Sequence, residues 1–105
     1  MKNTLENNVR ILFERRRKMH PNDPAAYKYW DELTELLSQN QDQTIHFFNE
    51  CSEEEVLLLS EVFEDIAERL KSLAYIATLE KVQVKFPKLD LYHSIEVAKK
   101  HSGLF

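Results

Sequence analysis

Glycine is almost missing from this chain: Gly103 is the single one among 105 residues. Hairpin turns, dinucleotide-binding loops and P-loops need glycine, either to reach positive φ or to let the backbone approach a phosphate. Its scarcity argues against a β architecture and against nucleotide binding. Cysteine is as scarce. Cys51 stands alone, which excludes an intramolecular disulfide and suits a reducing compartment. Prolines number three, Pro21, Pro24 and Pro87. No apolar run approaches the roughly 20 residues of a membrane-spanning helix, and the opening MKNTLENN has no apolar segment of the kind a secretory signal carries. A soluble, cytoplasmic, single-domain protein spanning residues 1–105 is expected.

What the chain does have is helical periodicity. Hydrophobic residues make up 43% and charged residues 30%, a globular rather than a disordered balance. The stretch Ser52–Leu70 is the clearest. Ser52 and Glu55 form a capping box, and Val56, Leu59, Phe63, Ile66 and Leu70 recur at steps of three and four, widened by Val62 and Ala67. Five further helices are read around it. The first covers 4–19 with Leu5, Val9, Leu12 and Met19 on one side, Phe13 beside them, and the basic run Arg15–Lys18 at its end, where cations complement the helix dipole. The second covers 24–38, with Asp23 as cap, Pro24 in its first turn, and Trp30 as a main core anchor among Ala26, Tyr29, Leu33, Leu36 and Leu37. A third, short helix covers 42–51 and groups Thr44, Phe47, Phe48 and Cys51.

After Leu70 the apolar stripe changes phase. Tyr75, Leu79, Val82 and Phe86 lie nearly opposite the preceding stripe if the helix runs on, which predicts a turn at Lys71–Ser72 with Ser72 as a cap. One long helix packing on two sides is the alternative. Pro87 ends the fifth helix. Asp90 is read as the cap of a sixth, covering 91–101, with Leu91, Ile95 and Ala98 inward and Gly103 beyond its end. The expected fold is all-α: a compact bundle of about six short antiparallel helices, with HEAT-like helix pairs as the alternative arrangement.

Charge is distributed unevenly along the chain. Residues 1–20 hold six basic side chains against two acidic ones, whereas residues 40–68 hold nine acidic side chains and no Lys or Arg. Such asymmetry bears on partners and association rates. On the Ser52–Leu70 helix the acidic side chains lie opposite the core stripe, unmatched at i+4 by bases across most of its length, no Lys or Arg occurring before Arg69, with Leu57 projecting among them. An apolar anchor rimmed by charge is the arrangement of a binding hot spot. Glu54, Leu57, Glu61, Glu64, Asp65 and Glu68 are therefore the candidate partner-binding residues, set against the plainer reading of a solvated helix face.

Catalytic chemistry has no comparable candidate, and an enzyme is not expected. The histidines His20, His46, His93 and His101 fall singly on separate elements, and neither HExxH nor a cysteine pair is present. His46 and Glu50 share a helix face at i+4, a spacing more often met as a surface hydrogen bond than as a metal site. Arg15 and His20 match the R-x4-H spacing of HEPN-type ribonucleases, a short pattern that a basic run produces easily; a HEPN-like ribonuclease is the distant alternative. The acidic balance, pI ≈ 5.6, disfavours a nucleic-acid face. Cys51, beside Glu50 and ahead of three glutamates, is read as a small buried apolar residue rather than a nucleophile. No cofactor, metal, nucleic-acid or membrane partner is expected.

The stretches NECSEEEVLLLSEVFEDIAERL and AYIATLEKVQVKFPKLDLYHSIEVAKK resemble a family of small all-helical bacterial immunity proteins of contact-dependent growth inhibition and related polymorphic toxin systems. The resemblance covers about residues 28–100. It implies a cytoplasmic protein that binds and neutralises a cognate toxin domain, one whose basic surface would suit the acidic face. A general helical protein–protein adaptor is the alternative function.

Overall fold

All six expected helical segments are present, the fourth of them interrupted. The computed structural model describes residues 4–105; Lys2, one of the six basic residues of the N-terminal segment, lies outside them. Helix α1 (Thr4–Arg17) buries Leu5, Val9, Leu12 and Phe13. It ends sooner than the periodicity predicts, because the amides of Lys18 and Met19 turn to the carbonyls of Arg15 and Arg16 at 3.2 and 3.1 Å, a 3-10 closure. Helix α2 (Ala25–Leu37) follows Pro24, with the Asp23 carboxylate accepting from the Ala25 amide at 2.9 Å. Helix α3 (Gln41–Glu50) is capped by Asn40, whose side chain accepts from the Gln43 amide at 2.9 Å. Periodicity alone marks Asn40 only as part of a polar turn.

The long helix expected over Ser52–Leu70 is broken. Its capping box is present, and α4 (Glu53–Leu59) starts from it. A 3-10 turn over Ser60–Val62 then separates α4 from α5 (Phe63–Leu70). Ser60 supplies the physical reason: its hydroxyl donates back to the Leu57 carbonyl at 2.6 Å, a bond that competes with the helical ladder and bends it. The core stripe survives the break, since Val56, Leu59, Val62, Phe63, Ile66 and Ala67 are all buried.

Two caps fix the course of the chain after Leu70. Lys71 adopts the left-handed conformation, φ 47°, and ends α5. Ser72 starts α6 (Leu73–Lys85), its hydroxyl accepting from the Tyr75 amide at 3.0 Å. The expected turn is there, and a continuous helix is not. Helix α7 (Tyr92–Ser102) ends at Gly103, also left-handed at φ 74°. Asp90 does not cap it, contrary to expectation. The Leu91 amide donates instead to Gln83 Oε1 at 2.8 Å, while Gln83 Nε2 donates to the Leu89 carbonyl at 2.7 Å. One amide side chain of α6 thus ties down the α6–α7 connector from both sides.

The described residues form an all-α bundle of six helical segments, the fourth broken by its 3-10 turn. Packing joins both consecutive and more distant elements: α1 lies on α2 and α6 on α7, while α5 lies on α7 and α3 on α6. Phe48 centres the aromatic core, with ring centroids 6.0 Å from Phe63 and 5.5 Å from Tyr75. The Tyr75 hydroxyl donates to the Phe63 carbonyl at 3.1 Å, so it is buried with a partner. A radius of gyration of 13.0 Å matches the ~13 Å of about a hundred residues folded as one body. Trp30 corrects another expectation. It packs on the core only in part, because its indole N–H reaches outward to Glu61.

Candidate functional site

The acidic face is built on α4, the 3-10 turn and α5. Exposed positions recur at Glu53, Glu54, Leu57, Glu61, Asp65 and Glu68, the three- and four-residue spacing that keeps side chains on one flank. Leu57 is 53% exposed. It is a surface residue among carboxylates, as its phase on the helix predicts.

The basic run of α1 meets part of this face. Arg17 grips Glu54 through two bonds, Nη2 to Oε1 at 2.7 Å and Nε to Oε2 at 2.8 Å, and also reaches Glu14 at 2.6 Å. Arg16 grips Glu61 in the same bidentate way, at 2.9 and 3.1 Å, and Trp30 Nε1 adds a third bond to that carboxylate at 3.0 Å. Arg10 binds Glu55 at 2.8 and 3.3 Å and also pairs with Glu6. Planar guanidinium and carboxylate groups match in these forks. Hydrogen bonding to Arg17 holds the Glu54 carboxyl below its ordinary pKa, and hydrogen bonding to Arg10 does the same for Glu55. The acids that find no base along their own helix are thus partly answered by a neighbouring one.

The six candidate residues divide accordingly. Glu54 and Glu61 are engaged in holding α1. Glu64 is half-buried, with His101 Nε2 3.5 Å away. Leu57, Asp65 and Glu68 are exposed, and neither Asp65 nor Glu68 has an ion-pair partner among the described residues. Sequence spacing identifies the face; it cannot identify which of its charges are met from α1, because that depends on how two helices 37 to 45 residues apart pack.

Other chemistry-bearing residues are scattered. Cys51 is buried, and burial together with Glu55 pushes its thiol up to about 12, so it stays protonated. His46 is exposed on α3, and Arg15 of the R-x4-H pattern binds Glu32 at 2.9 Å while His20 Nδ1 accepts from the Asn22 amide at 3.2 Å. No group of three or more His, Cys, Asp or Glu side chains suited to a metal occurs among the described residues, and no helix among them is long and apolar enough to cross a membrane. A groove of about 440 Å³ lies between α1 and α2, floored by Leu12 and Leu36 with Asp31, Glu32 and Glu35 alongside; nothing in the sequence pattern signals it. Glu32 and Glu35 there are tied to Arg15 and Arg69, each at 2.9 Å. Comparison with known protein families, with curated proteins and with solved structures finds no match for this chain.

Proposed function

We propose that this domain is an immunity-type protein: it binds a toxin domain of a polymorphic toxin system and neutralises it, using the exposed flank of α4 and α5. The observation that carries the reading is Leu57, an apolar side chain 53% exposed in the midst of carboxylates. A partner that covers Leu57 gains the burial of a leucine, worth roughly 1.5–3 kcal/mol when complete. Arg17 and Arg16 answer Glu54 and Glu61 beside this anchor, so the charge on this flank that steers a basic partner and disfavours an acidic one is that of Glu53, Asp65 and Glu68. The kind of partner is taken from the resemblance read in the sequence of residues 49–70 and 74–100. A general adaptor would use the same surface without requiring a toxin.

Glu54 and Glu61 hold α1 in place, so charge reversal there disturbs the fold as well as the face. Asp65 and Glu68 separate the two effects. The test measures binding to the short C-terminal toxic domain of a polymorphic toxin encoded beside this protein, by surface plasmon resonance at several salt concentrations. Asp65→Lys with Glu68→Lys is expected to lower kon about tenfold at low salt, with thermal stability kept. Leu57→Ala is expected to raise koff by about tenfold or more, again without a fall in Tm. Failure of the wild-type protein to bind that domain sinks the immunity reading; binding indifferent to all three substitutions moves the interface elsewhere.

A further inference from the structure

The connector ahead of α2 and the first two turns of that helix border a half-open pocket of about 250 Å³ lined by Pro21, Asn22, Asp23, Ala26, Tyr27 and Trp30. Its two rings stand perpendicular, with centroids 5.4 Å apart. Trp30 is held in place by the bond from its Nε1 to Glu61 at 3.0 Å. Tyr27 is 72% exposed yet leans on Trp30. Asp23 is also oriented, since its Oδ1 accepts from the Ala25 amide at 2.9 Å.

The pocket's own lining carries a single charge, while the Arg16 guanidinium stands just outside it, within the electrostatic reach of Asp23. Aromatic faces carry negative electrostatic potential and attract cations, most strongly when two rings and a carboxylate converge. Trp30 already serves a cation, because the Arg16 guanidinium lies 5.9 Å from its ring centroid. Arg16 does not line the pocket, and its charge is answered by Glu61 at 2.9 Å. Among the lining residues the only charged one is Asp23. A neutral guest would gain apolar contact alone, and an anion would meet Asp23 and the ring faces. An ammonium group bearing alkyl arms gains both apolar contact and attraction.

We propose that Asp23, Tyr27 and Trp30 form a receptor for an organic ammonium group. The group is either the side chain of a lysine on a partner or a free quaternary ammonium compound. The site uses none of Leu57, Asp65 or Glu68, so it stands or falls apart from the function proposed above. Trp30 is the only tryptophan in the chain, and its fluorescence reports the site directly.

The experiment titrates the full-length protein at constant ionic strength with choline and with its neutral carbon isostere 3,3-dimethyl-1-butanol. A second pair is N-acetyl-lysine methylamide and the matching norleucine derivative. At least one ammonium compound is expected to give a saturable change in Trp30 emission at about one-tenth of the concentration its neutral twin requires. A stronger response to choline assigns the site to free quaternary ammonium, and a stronger response to the lysine derivative assigns it to a partner's side chain. Tyr27→Ala is expected to weaken binding about fivefold or more and Tyr27→Phe to retain it, with circular dichroism unchanged because Tyr27 lies on the surface. Asp23→Asn keeps an acceptor for the Ala25 amide and is expected to weaken binding about threefold. Ammonium compounds that bind no better than their neutral twins overturn the proposal, as does wild-type affinity in Tyr27→Ala.

Discussion

Lys71 adopts φ 47° and ψ 53°, a conformation that costs a residue with a Cβ roughly 1–2 kcal/mol. Helices commonly end with glycine in this position. Here a lysine takes it, its side chain exposed and its amide bonded to the Ala67 carbonyl at 2.9 Å. Lys71→Gly removes the steric cost and adds freedom to the unfolded chain, which returns about 0.4–1 kcal/mol of it. A net stabilisation of about 0.5–1 kcal/mol is expected, read as a higher urea midpoint at an unchanged m-value. Lys71→Val puts a branched side chain in the same place and is expected to lower the midpoint. Unchanged midpoints in both variants would mean that the helix end relaxes at no cost.

Among the elements, the α6–α7 connector depends most on a single side chain. Gln83 accepts from the Leu91 amide at 2.8 Å and donates to the Leu89 carbonyl at 2.7 Å. Gln83→Leu fills similar space and leaves both backbone groups without that partner, so about 1–3 kcal/mol of stability should be lost. Hydrogen exchange at the Leu91 amide should quicken in step, and slow exchange there would show that another group has taken over. This bond is illegible in the sequence. A glutamine in a helix has no pattern that announces a partner eight residues away, whereas Asp90 before a helix has a familiar one. The same contrast runs through the chain. Stripes and the serine caps at Ser52 and Ser72 are legible, because they depend on residues three or four apart. The 3-10 break at Ser60–Val62 is not, since one serine hydroxyl decides it and most helical serines do not bend a helix. Trp30 misleads for a related reason: its apolar phase points inward, but Glu61, 31 residues on, draws its N–H outward. The candidate face is legible as a face. Its division into engaged and open carboxylates is not, because the arginines come from α1.

At the scale of the whole molecule, those arginines make the stability depend on acid. Glu54 and Glu55 titrate below the ordinary carboxylate value of about 4.5 in the folded protein, drawn down by Arg17 and Arg10 respectively. A carboxyl depressed in this way binds its proton more readily when unfolded. Its contribution is therefore complete above the unfolded pKa and disappears as pH falls through the folded one. Stability should be level above about pH 5 and decline below it. Glu54 is largely exposed and contributes little, so most of the slope belongs to Glu55, whose side chain is 12% exposed. Glu55→Gln should flatten the decline in urea midpoint between about pH 5 and 3. An acid limb as steep as wild type would assign it to other carboxyls.

The arginine contacts also have a place in time. They join residues 37 to 45 apart in the chain, and a contact of that span waits for a long loop to close. Helices α5, α6 and α7 are consecutive and pack on one another, α5 most extensively on α7. The expected order is that this C-terminal half assembles early and α1 settles on it late, its guanidinium groups finding their carboxylates only after α4 has formed. Run in reverse, the seam between α1 and the α4–α5 segment is where the molecule first comes open.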